Sequence, residues 1–154
     1  MADAMGGLLT EAGVPNAVVD LDSLRRAWPT PAGDPFNFGL LLRNLGCVAG
    51  NYLDAGVSRL VLAGVAESRE NRKRYQDAVG GELAVCRLRA DLTVVRQRLV
   101  RRHDGDPGGL RWHLDRVEEL DRILDRTRVE DFAVDATDGS VGEVAGAVLR
   151  EVGW

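Results

Sequence analysis

Four short apolar runs, rich in β-branched residues and separated by segments of helical spacing, decide what this chain can fold into. They are Ala17 to Leu21 (AVVDL), Arg59 to Val65 (RLVLAGV), Leu83 to Leu88 (LAVCRL) and Asp131 to Ala136 (DFAVDA). Runs that stay apolar almost throughout belong to strands covered on both faces, as in parallel sheets. Between them, apolar residues recur at intervals of three and four. The stripes are Leu40, Leu41, Asn44, Leu45, Val48 and Tyr52; Leu92, Val95 and Leu99; Leu110, Leu114, Val117, Leu120 and Leu124; and Val141, Val144, Val148 and Val152. Each draws one face of a helix, and the first helix is expected to end near Gly56. Strands alternating with such helices imply parallel crossover units. The expectation is a three-layer α/β/α domain on a parallel sheet.

With 154 residues and 45% hydrophobic content, the chain reads as one domain over residues 1–154, able to bury roughly 68–70% of its unfolded surface. Ala2 to Ala12 has helical character and stops at Gly13 and Pro15. A helix therefore precedes the first apolar run, where α/β domains ordinarily place a strand. The 20 basic and 24 acidic residues leave a net charge of −4, and aromatics make up only 5%, which argues against nucleic acid as a partner. Cys47 and Cys86 lack the close Cys/His spacing of a zinc site and are expected as reduced, packed thiols. Met1 to Gly7 shows no basic stretch leading into an apolar one, and no apolar run approaches the roughly 20 residues of a membrane span. No membrane partner and a cytoplasmic location are expected.

The first run ends in Asp20 and Asp22, followed by Ser23, Leu24, Arg25 and Arg26. Strand alternation points residues two apart to the same side. Both carboxylates can then face a crevice at the strand's carboxyl end, where open α/β sheets bind ligands. Asp22 has an equally ordinary alternative, capping the helix that follows. Two stretches rich in Pro, Gly and Asp, Pro29 to Pro35 and His103 to Gly109, are expected as mobile loops.

The segment VVDLDSLRRAWP resembles the acceptor segment D-x-D-x-(L/V)-R of adenylylsulfate kinases and their relatives, including shikimate and gluconate kinases. LVLAGVAESRENRKRY resembles their third-strand segment, in which an apolar strand runs into a small-residue turn and then R-x-x-R, here Arg69 and Arg72. The likeness continues through AVCRLRA, VRQRLVRRH, a lid-like loop and DFAVDATDGSVGEVAGAVL. It covers nearly the whole chain and implies a P-loop small-molecule kinase, with parallel strand order 2-3-1-4-5. ATP and Mg²⁺ are the implied cofactors and a small-molecule hydroxyl the implied acceptor. By this resemblance Asp20 would hold Mg²⁺ or take the hydroxyl proton, and Asp22, Arg25, Arg69 and Arg72 would bind the acceptor. Arg98, Arg102 and Arg116, from a mobile lid near 101–116, would stabilise the transferring phosphoryl group, whose spreading negative charge closing arginines offset. The alternative for those arginines is a solvated helix laced with ion pairs. Thr137, Asp138 and Gly139 would approach adenine. Trp28, Phe36 and Phe38 either wall the acceptor pocket or pack their loop onto the body. His103 and His113 are expected as a loop and a surface histidine.

One part of the pattern is absent from these residues. No G-x-x-x-x-G-K-(S/T) loop, the element that cradles phosphate, occurs; the sole lysine, Lys73, lies in RENRKRY. ADAMGGLLTEAG resembles the helix that follows that loop. The family's first strand, central in its order, is therefore expected to be missing, through a late start or through natural loss, and the chain as written is expected to be inactive. The runs at Arg59 to Val65 and Leu83 to Leu88 would then have unpaired inner edges. The sheet either keeps a slot there, closes edge on edge or takes in another strand. Two non-catalytic readings stand beside the kinase: a domain that binds an anionic small molecule, and an interaction module that self-associates through exposed strand edges.

Overall fold

The computed structural model describes residues 1–34, 36–103 and 105–154. In chain order these form α1 (Ala2–Glu11), β1 (Asn16–Asp20), a 3-10 turn (Ser23–Arg25), α2 (Phe38–Asp54), β2 (Arg59–Ala63), α3 (Arg69–Val79) and β3 (Cys86–Arg89). They continue with α4 (Leu92–Arg102), α5 (Pro107–Thr127), β4 (Phe132–Asp135) and α6 (Val141–Glu151). The chain is mixed α/β, and its strands make two small sheets. β1 pairs in parallel with β2, Asn16 opposite Arg59 through Asp20 opposite Ala63. β3 pairs in parallel with β4, Cys86 opposite Phe132 through Arg89 opposite Asp135. No ladder joins the pairs among the described residues.

Alternation along β1 and β2 sends neighbouring residues to opposite faces, and helices cover both. Val19 and Leu62 pack with Leu41 and Leu45 of α2 and Tyr75 of α3. Val18 and Val61 pack with Leu9 of α1 and Leu149 of α6. In the second pair, Cys86, Phe132 and Val134 meet Val144 and Val148 of α6 together with Met1 and Met5. Its Arg87 reaches the other way, to Asp121 and Asp125 of α5. Met5 belongs to both clusters, so α1 bridges the two pairs. On the opposite side Arg72 of α3 spans them, donating to the carbonyls of Val129 and Leu83 and to the Asp131 carboxylate.

α1 sits close because Gly6 has no side chain. A Cβ there would lie 2.6 Å from Val18 Cγ2, well inside contact distance. Gly6→Ala is expected to destabilise the domain by about 1–3 kcal/mol, the usual range for overpacking, despite alanine's better helix propensity. Urea unfolding followed by circular dichroism checks this; a stability equal to wild type would mean α1 does not rest on β1.

Several expectations change. The third apolar run starts as strand only at Cys86, because side chains take the backbone groups before it: Arg72 holds the Leu83 carbonyl and Asp131 accepts the Val85 N–H. Cys47 is exposed, not packed, since the helical period turns it away from Leu41 and Leu45. The predicted loop from His103 to Gly109 is shorter, for α5 begins at Pro107 behind Asp106, whose carboxylate accepts the Gly109 N–H. Within the two predicted loops, Pro35 and Asp104 lie outside the described residues. α3 has no apolar stripe and buries only Tyr75; its limits are set by the Ser68 N-cap and by Gly80 in the left-handed conformation.

Candidate active site at the strand ends

Asp20 closes β1 and is exposed. Its Oδ1 accepts the Asp22 N–H at 2.9 Å, and the Ser23 hydroxyl donates to its carbonyl at 2.6 Å. This local turn leaves Oδ2 outside the bonds described. Asp22 makes no side-chain cap; it pairs with Arg25 instead. The capping alternative fails because only a three-residue 3-10 turn follows. Two asparagines pin that turn. Asn37 Nδ2 donates to the carbonyls of Arg25 and Ala27, and Asn44 Nδ2 donates to that of Leu24 at 2.7 Å. Asn37 is 5% exposed and left-handed, with φ of 51°, a conformation Asn tolerates better than most residues. Sequence reading missed both as positioning residues. Asn44 carried a signal, since a polar residue on a buried stripe needs a partner.

The three aromatics do not share a wall. Trp28 is 92% exposed and Phe36 63%, whereas Phe38 packs edge-on against Tyr75 at 5.5 Å under the Arg74 guanidinium. Arg69, the first residue of α3, is exposed and has no hydrogen bond or ion pair among the described residues. Arg72 is committed to the staple described above.

The three arginines of the α4–α5 hairpin separate. Arg98 donates to the carbonyls of Ala136 and Thr137 at 2.8 and 2.9 Å, which places it on the β4–α6 loop. Arg102 is exposed at the end of α4. Arg116 donates to Glu119 at 2.7 Å and to Glu67 at 2.5 Å. Its pKa is raised further above the usual arginine value, first by the Glu119 hydrogen bond and then, against some loss of hydration, by Glu67. In the β4–α6 loop the Thr137 hydroxyl accepts the Asp91 N–H, and the Thr137 N–H donates to Asp135, holding that carboxyl below its ordinary range. Asp138 and Gly139 are exposed beside it. His103 and His113 face each other on the hairpin with ring centroids 4.4 Å apart.

Among the described residues no three or more His, Cys, Asp or Glu side chains gather closely enough to hold a metal. One carboxylate with a spare oxygen, as at Asp20, suits Mg²⁺ of the kind that keeps most of its shell as water and phosphate oxygens. Among the described residues no helix is long and apolar enough to cross a membrane.

No family model matches this chain, and no curated protein matches it in sequence. The fold does have a solved counterpart. The tunicamycin resistance protein of Deinococcus radiodurans superposes with a TM-score of 0.67 at 21% sequence identity, over 99% of this chain and 88% of that one. At that identity the likeness is one of fold.

Proposed function

We propose that this chain is a P-loop small-molecule-kinase-like domain which, in a form that also carries a phosphate-binding loop, moves the terminal phosphate of ATP to a small-molecule hydroxyl. The carrying observation is the division into two parallel pairs, β1–β2 and β3–β4, helix-covered on both faces, with Asp20, Asp22 and Arg25 at one carboxyl end and Thr137 at another. The order 2-3-1-4-5 with its centre open accommodates both pairs. It also gives α1, packed on β1, β2 and α6, the place of the helix after the central strand.

In this reading ATP supplies the phosphoryl group and Mg²⁺ neutralises its charge. Asp20 offers its spare oxygen to the metal or to the acceptor hydroxyl proton. The Asp22–Arg25 pair, pinned by Asn37 and Asn44, presents one acceptor and one donor to the substrate, and Arg69 adds an unpaired donor for an anionic group. Arg72 keeps the two halves aligned, while Arg98, Arg102 and Arg116 lie on the hairpin that would close over the phosphates. Thr137 to Gly139 form the edge offered to adenine. The non-catalytic alternative keeps the same crevice as a binding site for an anionic small molecule.

Isothermal titration with Mg-ATP and a turnover assay separate these, run on the 154-residue chain and on a form preceded by a strand and a GK(S/T) loop read from the upstream DNA. Tunicamycin belongs among the acceptors tried, since the structural neighbour is named for resistance to it. The extended form is expected to bind and turn over, and the 154-residue chain to show no turnover above buffer. In the active form, Asp20→Ala is expected to lower kcat by about tenfold or more with little change in ATP binding, as for a contact made in the transition state. Arg25→Ala and Arg69→Ala are expected to raise KM for the acceptor. Absence of ATP binding in both forms overturns the kinase reading. Turnover by the 154-residue chain, abolished by Asp20→Asn, overturns the need for the loop.

A further inference from the structure

Arg116 lies near the middle of α5, and its two amino groups serve two carboxylates of different kinds. Glu119 is on the same helix, three residues on, and moves wherever Arg116 moves. Glu67 is not: it stands in the link between β2 and α3, just before the Ser68 cap. The other ion pairs of the hairpin stay within its own half: Arg96 with Glu118, Arg87 with Asp121 and Asp125, Arg89 with Asp125 and, once protonated, His103 with Asp106. Arg116–Glu67 is the one ion pair among the described residues that ties the hairpin to the β1–β2 half. It sits on the loop leaving the carboxyl end of β2, the same end at which Asp20 leaves β1.

We infer that Glu67 is a positioning residue that docks α5 through Arg116 and yields this arginine to a phosphate arriving at the strand ends. The second clause rests on the phosphoryl-transfer reading; the docking does not. The Arg116 side chain is 25% exposed and that of Glu67 40%, so water screens the pair and holds it only modestly. A guanidinium is a rigid fork that suits two oxygens of one phosphate better than single oxygens of two carboxylates. A polyphosphate brings several charges against the single charge of Glu67. Exchange of partners therefore breaks the contact between the halves, while Glu119 stays beside Arg116 on the same helix.

Hydrogen–deuterium exchange on wild type, Glu67→Gln, Arg116→Gln and the double variant tests the docking without any ligand. Each single change is expected to speed exchange in the first turns of α5 severalfold, and the double variant to add nothing, as two partners of one contact do. Arg116→Lys should restore part of the protection. Unchanged exchange in Glu67→Gln, or additive effects in the double variant, overturns the docking. Titration with inorganic triphosphate and Mg²⁺ tests the hand-over: Glu67→Gln is expected to bind about three- to tenfold more tightly than wild type. Equal affinities overturn the hand-over alone. Coupled exchange with no triphosphate binding in either protein upholds the docking and counts against the phosphate site itself.

Discussion

Leu45→Ala is expected to lower the free energy of unfolding by about 3–5 kcal/mol, the upper part of the range for a fully buried leucine, where a lost transfer contribution adds to an unfilled cavity. Leu45 is 0% exposed and Leu41, one turn earlier, 1%. Both pack against Val19, Leu21 and Tyr75, so the cavity would open between helix and strand, where neither backbone can collapse into it. Leu53, 47% exposed on the same helix, is the control, and Leu53→Ala should cost well under half as much. Urea unfolding of the three proteins at one pH measures this. A loss below about 1 kcal/mol for Leu45→Ala would mean that α2 does not cover the β1–β2 pair, because surface substitutions usually fall within that range.

Arg87→Ala should be the most damaging change at a charged position, at about 2–3 kcal/mol. Removing one member of a buried ion pair costs more than that in general, but here the partners are unequal. The Arg87 side chain is 7% exposed, those of Asp121 and Asp125 are 42% and 58% exposed, and that of Glu130 is 13% exposed. The two aspartates can rehydrate once Arg87 is gone. Glu130 cannot, and its Oε2 already has no hydrogen-bond partner among the described residues. Glu130→Gln should therefore recover part of the loss in the Arg87→Ala background and little in wild type. The pair also sets an acid response. Asp125 is held below its ordinary carboxyl value, first by the hydrogen bond from Arg87 and then by that residue's charge. Its folded form thus binds fewer protons than its unfolded form between the two pKa values. The contribution is fully present above the unfolded value, roughly pH 4, and is lost as pH falls through the folded one. Urea midpoints between about pH 2 and 6 should fall more gently with acid in Arg87→Ala than in wild type; parallel curves would show that Asp125 gains nothing from Arg87.

The strands were legible because burial on both faces writes itself into consecutive residues, as at Val18–Val19 and Val61–Leu62. The helix stripes were legible because burial of one face repeats every three or four residues. α3 was not, because its only fully buried side chain is Tyr75, with Ala78 and Val79 beside it in the last turn, and it gains its definition from the Ser68 and Gly80 caps. The site shows the same division. Asp20, Asp22 and Arg25 are neighbours in the chain, so a single strand end was enough to group them. The pairings of Arg116 with Glu67, Arg98 with Thr137 and Arg72 with Val129 join residues 49, 39 and 57 positions apart. No local periodicity connects such residues. A reading by segment assigned all three arginines to ligands, whereas folding gives each of them a partner within the chain.

The lack of a ladder between the two strand pairs has a mechanical consequence. Among the described residues every strand-to-strand hydrogen bond lies inside one pair or the other, so changing the angle between the pairs breaks none of them. What resists the change is the packing of α1 and α6, each of which contributes to the apolar clusters of both pairs, and two arginines reaching across. The placement of one pair against the other therefore rests on side-chain packing and ion pairs and not on a continuous ladder.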